Sequence, residues 1–149
     1  MYDRISSSLV RLASRSKAYH YKHAACVYSG KRVIGVGVNE PTYFINSNHY
    51  ITGRHAEIVA IRNAMLNLKR RGKRLRSFKI IVVRSNELNA MPCVACRSLL
   101  SRMNCKRVIA NDGTGVSSVK AAGVPHHECS SVTIRRARIA DSDSGSGKL

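Results

Sequence analysis

Arg54-His55-Ala56-Glu57-Ile58-Val59-Ala60-Ile61, followed further on by Met91-Pro92-Cys93-Val94-Ala95-Cys96, is the stretch on which the reading of this chain turns. One histidine and two cysteines offer three ligands of the kind zinc prefers, one short of a closed tetrahedron. Structural zinc sites use four protein ligands, whereas catalytic ones keep three and leave a position for water. Glu57, two residues beyond His55, is not needed as a ligand and is placed to move protons. The spacing also carries geometry. Positions two apart on a regular helix differ by about 200°, so His55 and Glu57 share no side face. They converge only beyond a helix N-terminus, toward which first-turn side chains lean. Cys93 and Cys96 fit the start of a second helix, with Pro92 tolerated at or before its first turn. Two helix N-termini would thus aim at one Zn2+, and their positive ends join the metal in favouring thiolates.

Cys93 and Cys96 alone could be half of a zinc ribbon, but no second Cys-x-x-Cys completes four thiolates. His20, His23, His49, His126 and His127 are alternative ligands that this reading sets below His55.

Outward from the metal motif, the periodicities set a coarse order of elements. Ile5, Leu9, Leu12 and Ala13 fall at helical spacing within residues 2–19. His23–Tyr28 and Arg32–Val38 flank Ser29-Gly30 and read as a hairpin. Residues 39–54, with Asn39, Pro41, Asn46, Asn48 and Gly53, read as a polar loop. From His55 to Leu68 the apolar positions Ile58, Ile61, Met65 and Leu68 step three, four and three, which predicts one buried helical face. Lys69-Arg70-Arg71-Gly72-Lys73-Arg74-Leu75-Arg76 then ends that helix, with Gly72 as the stop and cations suited to its macrodipole. Phe78–Val83 reads as a buried strand, Cys93–Met103 as a helix, Arg107–Ala110 as a strand and Asn111-Asp112-Gly113 as a turn. Past Ser117 the pattern weakens to a strand at Val132–Ile134 and a disordered tail. This order predicts an α/β domain over residues 1–140, a mixed sheet with helices on both faces, and a Ser/Gly/Asp tail over 141–149.

A chain of 149 residues suits one core, and 5% aromatic content without tryptophan implies an aliphatic one. No apolar run approaches the roughly 20 residues of a membrane span, and no signal pattern opens the chain. The expectation is a cytoplasmic or nuclear protein without a membrane partner. Five cysteines, an odd number, point to metal and free thiols rather than a disulfide framework, with Cys26, Cys105 and Cys129 as plain thiols. A net charge of +18, from 26 basic and 8 acidic residues, is beyond what solubility needs and points to a polyanion partner. Seven of the eleven residues from Lys69 to Lys79 are basic, so Lys69, Arg70, Arg71, Lys73, Arg74 and Arg76 are candidate phosphate contacts. Arg54 is either a charge near the helix start or a further phosphate contact.

From about Ala18 to about Ala110, the order of parts resembles the cytidine/deoxycytidylate deaminase superfamily. The residues that carry it are Val33-Ile34-Gly35-Val36-Gly37-Val38-Asn39, His55-Ala56-Glu57 and Pro92-Cys93-Val94-Ala95-Cys96, the His-x-Glu…Pro-Cys-x-x-Cys signature of the zinc nucleobase deaminases. The resemblance implies a cytidine-deaminase-like three-layer fold and a zinc held by His55, Cys93 and Cys96. It implies that Glu57 is the general acid and base, that Asn39 meets the substrate sugar, and that Ala56 and Cys93 backbone, with Pro92, position the base. Asn89-Ala90-Met91 stands where tRNA adenosine deaminases usually carry Thr-Leu-Glu, which favours cytosine over adenine. The expected activity is hydrolytic conversion of cytosine to uracil in a (deoxy)cytidine or cytidylate-type substrate. One alternative is deamination of cytosine or adenine within RNA or single-stranded DNA, favoured by the charge, with Tyr43, Phe44 and Tyr50 available to stack on a flipped base. Another is a basic nucleic-acid-binding protein with a structural zinc, against which an intact Glu57 argues. Aliphatic helices leave room for a homo-oligomer.

Overall fold

The computed structural model describes residues 2–18, 21–41, 43–46, 49–51 and 53–121. Its sheet begins at one side with a hairpin of β1 (His23–Ser29) and β2 (Arg32–Val38), turned at Gly30 with φ of +59°. β1 reads His-Ala-Ala-Cys-Val-Tyr-Ser and is buried on both faces, because it lies inside the sheet. Its other neighbour is β5 (Phe78–Arg84), whose Ile80-Ile81-Val82-Val83 run is likewise buried on both sides. With β6 (Cys105–Asn111) and β7 (Val116–Val119), the sheet order is β2-β1-β5-β6-β7. Only β5 and β6 pair in parallel; the other neighbours are antiparallel. A parallel pair needs a crossover, which α3 (Val94–Arg102) supplies.

Alternation along the strands divides two cores. Ala24, Cys26, Tyr28, Ile81 and Val83 face α1 (Tyr2–Ser14), which contributes Leu9 and Ala13. Ala25, Val27, Ile80, Val82, Val108 and Ala110 face α2 (Ala56–Lys69) and α3. Helices therefore cover both faces, as the sequence pattern predicts.

The buried face of α2 differs from the expectation. Ala56, Glu57, Ala60, Ile61 and Ala64 are buried, while Met65 is 48% exposed and Ile58 and Leu68 are only partly covered. The cause lies in β2. A Cβ on Gly35 would collide with the Ala60 carbonyl and the Ala64 amide, and one on Gly37 with the Ala60 amide and Val59. Two glycines and a stripe of alanines let helix and strand approach closely, so small residues take the interface. At this range Asn63 and Asn67 donate to the carbonyls of Val36 (2.8 Å) and Ile34 (3.1 Å). Among the described strands β2 lies at the sheet edge, and the two carboxamides occupy carbonyls that would otherwise invite another chain.

Three further differences concern boundaries. α1 stops at Ser14 rather than continuing to 19. The 39–54 segment is not all loop: β3 (Tyr43–Asn46) and β4 (His49–Ile51) pair antiparallel, since Tyr43, Phe44, Ile45, Tyr50 and Ile51 favour strands more than the surrounding turn formers oppose them. β7 was not expected as a strand. The strand foreseen at Val132–Ile134, the 141–149 tail, Cys129, His20, His126 and His127 lie outside the described residues, as do the side chains of His49, Tyr43, Phe44 and Tyr50.

At the far end of α2, Gly72 has φ of +64°, and the amides of Gly72 and Lys73 bond back to Lys69 (3.0 Å) and Leu68 (2.9 Å). This is the glycine-terminated stop that the sequence announces.

Candidate metal centre and active site

Two helices begin at the same place. His55 precedes α2 and Cys93 precedes α3, both in extended conformation (φ −71°, ψ 150° and φ −65°, ψ 165°). Neither side chain caps its own helix. Both turn instead to a shared point, and the uncapped first-turn amides leave positive potential there. The site lies beyond the carboxyl end of β5, where open α/β sheets place ligands.

His55 Nδ1 is 3.2 Å from Cys96 Sγ and 3.6 Å from Cys93 Sγ, and the three ligand atoms lie within 4.8 Å of one another. Zinc bonds of about 2.0 Å to nitrogen and 2.3 Å to sulfur give a tetrahedral N···S edge of about 3.5 Å. The donor set and its dimensions fit a zinc ion with one position left over. Among the described residues, it is the one group of His, Cys, Asp and Glu close enough to hold a metal.

The electrostatics agree. Hydrogen bonding from Cys96 first, and then from His55, pulls the Cys93 thiol down to about 3 against the opposing effect of burial. Hydrogen bonding to Cys93 chiefly raises His55. A readily ionised thiol beside an imidazole drawn toward its protonated form marks positions that a metal takes by displacing protons. Cys26 and Cys105 behave oppositely: burial pushes both up to about 11.

Glu57 is buried in the first turn of α2, outside the ligand set. Burial raises its pKa, opposed by its own backbone amide, the charge of His55 and a hydrogen bond from Cys96. A carboxyl held near, yet not by, the metal position and tuned upward is suited to passing protons.

Ala56 and Pro92 are buried against this point, each next to a ligand. Asn39 follows β2 and is already engaged. Its Oδ1 accepts from the His23 amide (2.8 Å) and Ser16 Oγ (2.9 Å), and its Nδ2 donates to the Tyr21 carbonyl (2.9 Å). It ties the α1–β1 connection to the end of β2. Arg54 Nε is 2.8 Å from Glu40 Oε2, and the Glu40 amide bonds the Arg54 carbonyl at 2.8 Å, closing the base of the β3–β4 hairpin. Lys69, Arg70, Arg71, Lys73, Arg74 and Arg76 are all exposed, at or beyond the other end of the 14-residue α2. That is about 20 Å from His55.

Sequence reasoning missed Arg97, and it weighed His23 only as an alternative ligand, which the ligand group does not include. Arg97 is buried in α3, and its Nε donates to the Pro92 carbonyl (2.9 Å), fixing the turn that presents Cys93. Its signal was an arginine in the same stripe as Cys96 and Leu100. His23 lies on the sheet face of Ala25 and Val27, at the strand end beside the site. Its Nδ1 lies 2.7 Å from the Tyr21 carbonyl and so carries the proton, and burial chiefly lowers its pKa, with Arg84 and His55 adding to the effect. His126 also stands two residues before a glutamate, Glu128; both lie outside the described residues.

A family model described as the cytidine and deoxycytidylate deaminase zinc-binding region matches residues 2–111. Among solved structures, the chain is similar to a cytidine deaminase from Burkholderia pseudomallei, with TM-score 0.57 and 19% identity over 81% of this chain and 93% of that one. It is also similar to a mutant cytidine deaminase from Mycobacterium tuberculosis, with TM-score 0.51 and 14% identity over 81% and 91%. A third is a diaminohydroxyphosphoribosylaminopyrimidine deaminase/5-amino-6-(5-phosphoribosylamino)uracil reductase from Thermotoga maritima, with TM-score 0.50 and 24% identity over 72% of this chain and 28% of that one. These likenesses establish the shared fold. No curated protein matches the chain. Since the family match runs through both helix starts and all three ligand positions, this chain belongs to the cytidine and deoxycytidylate deaminase zinc-binding family.

Proposed function

We propose that the protein hydrolytically deaminates a cytosine base to uracil in a nucleoside or nucleotide. The observation that carries this reading is Glu57, buried beside the ligand set but not part of it. Zinc, when bound by His55, Cys93 and Cys96, would supply a Lewis acid that lowers the pKa of water toward neutrality. Glu57 accepts a proton from the attacking water and passes it to the ring nitrogen; it then takes the proton of the newly added hydroxyl and delivers it to the departing amine as the C–N bond breaks, so one carboxyl serves as base and then as acid in each transfer. Burial suits it to both roles by raising its pKa from the ordinary carboxylate range. Ala56, Cys93 and Pro92 place main chain against the base. Asn39 keeps a second Nδ2 hydrogen beyond its bond to Tyr21, and this is its means of meeting a sugar hydroxyl. The cytidine deaminases whose fold the chain shares add support for a cytosine substrate.

A second reading, deamination of cytosine or adenine inside RNA or single-stranded DNA, rests on the net charge of +18. The position of the basic run weighs against it, since that charge sits at the far end of α2 from the ligands. The structural-zinc reading needs a fourth protein ligand, and the described group has three.

Ammonia release from cytidine, deoxycytidine, dCMP, single-stranded DNA and tRNA separates these readings. We expect turnover on at least one free nucleoside or nucleotide. Release from polynucleotides alone would overturn the proposal in favour of the second reading.

A further inference from the structure

The strands bring three connections together at the end of the sheet opposite the metal centre. The β1–β2 turn carries Lys31, and β2 opens on Arg32, which pairs with Ser29. Tyr28 pairs with Lys79, and Phe78 with Cys105, which places the starts of β5 and β6 at the same end. The connection from α2 to β5 carries five cations between residues 70 and 76, and the turn from α3 to β6 is bracketed by Arg102 and Lys106. Hydrogen bonds join the three: Ser29 Oγ donates to the Ser77 carbonyl at 3.4 Å, and Asn104 Nδ2 to the Arg76 carbonyl at 3.3 Å. These nine cations are exposed, and among the described residues none of them is ion-paired.

No described acid stands at this end. Glu40, Glu57, Glu87 and Asp112 follow β2, open α2, follow β5 and follow β6, all at the metal end. Asp3 opens α1 beside Tyr2, which also feels the charge of Glu87. The fold thus sorts charge by end, which a solvated surface does not require.

We infer that this end is a docking platform for the phosphodiester backbone of duplex nucleic acid, separate from the catalytic pocket. Backbone contacts need cations and no base readout. The three connections span four adjacent strands, about 14 Å at roughly 4.8 Å per strand. That matches about four base-pair rises of 3.4 Å. Single-strand binders add aromatic stacking platforms; here the two aromatic residues of this end, Tyr28 and Phe78, are buried in the cores. A bilayer surface would want an apolar wedge; the large apolar side chains of these connections, Leu75 and Met103, pack against the core instead. The platform does not depend on the deaminase reading. A nucleotide in the pocket and a duplex on the platform would not compete.

The test is fluorescence anisotropy of the full chain with a labelled 30-base-pair DNA and its single strand across a salt series. One variant carries Arg70→Gln, Arg71→Gln, Lys73→Gln and Arg74→Gln. A control removes the same charge from exposed positions on and after α1, with Arg4→Gln, Arg11→Gln, Arg15→Gln and Lys17→Gln. At roughly 0.9 per phosphate contact, the platform variant should lower the log–log salt slope by up to about 3.6. The control should lower it by less than one, duplex should bind more tightly than single strand, and zinc content should stay the same in all three proteins. Equal losses in both variants would overturn the platform in favour of diffuse attraction, and so would an unchanged slope in the platform variant. Tighter single-strand binding would overturn the choice of duplex. Binding to phosphatidylserine vesicles that falls with the platform variant, while its duplex slope does not change, would point to a membrane instead. Loss of deaminase activity in the wild type, with these binding results intact, would leave the platform standing.

Discussion

Cys93 and Cys26 are the same side chain in opposite surroundings. Cys93 faces Cys96 and His55 at a helix start and ionises far below an ordinary thiol, while Cys26 is packed into a strand among apolar neighbours and holds its proton up to about 11. Cys105 shares the second condition. Stability depends on pH as a result. An unfolded thiol ionises near 9.0, so the unfolded chain sheds these protons before the folded one does. The stability that the buried thiols lend is whole below pH 9 and is lost as pH rises toward 11. Two pKa units amount to roughly 3 kcal/mol for each thiol. Denaturant unfolding at pH 8 and pH 10.5 should therefore show a smaller alkaline loss in Cys26→Ala than in wild type; equal losses would contradict the assignment. At this scale the metal residues were legible because spacing and residue type carry the chemistry together. The hydrogen-bonding duty of Asn39 was not legible. Its partners Ser16, Tyr21 and His23 become neighbours only when the α1–β1 connection folds against the end of β2.

Position of the metal centre is set one level up, by how closely α2 lies on β2. Gly37→Ala places a Cβ against the Val59 and Ala60 backbone at the start of the helix that follows His55. Overpacking of this kind costs about 1–3 kcal/mol, and the helix must move to relieve it. We expect the variant to unfold at lower denaturant and to bind zinc more weakly. Unchanged zinc affinity would show that the helix start is held independently of this contact. The hairpin, both metal-site helices and the β5 strand could be read from periodicity, since each has a pattern of its own. The packing face of α2 could not, because hydrophobicity favours Ile58, Met65 and Leu68, whereas close approach selects Ala56, Ala60 and Ala64. That choice depends on Gly35 and Gly37 in a different element. β3 and β4 were hidden by the turn formers around them, and β7 is four residues, Val-Ser-Ser-Val, with little apolar content.

Across the whole molecule, the carboxyl end of the parallel strand pair holds the ligands and the described acids, and the other end holds unopposed cations. Among the described residues, no helix is long and apolar enough to cross a membrane. The net charge was visible in composition; its separation into ends came from topology, which brings Lys31, Arg74 and Arg102 together from distant parts of the chain. That His55, Cys93 and Cys96 hold the zinc while Glu57 moves the protons is tested most directly on three proteins, wild type, Glu57→Gln and Cys96→Ala. The measurement on each is zinc content together with ammonia release from cytosine nucleosides and nucleotides. We predict one zinc per chain and turnover in wild type. Glu57→Gln should keep its zinc and lose at least 10²–10⁴-fold in turnover, roughly the worth of a positioned acid–base group, and Cys96→Ala should lose the metal. Wild-type rates from Glu57→Gln, or unchanged zinc in Cys96→Ala, would contradict the account.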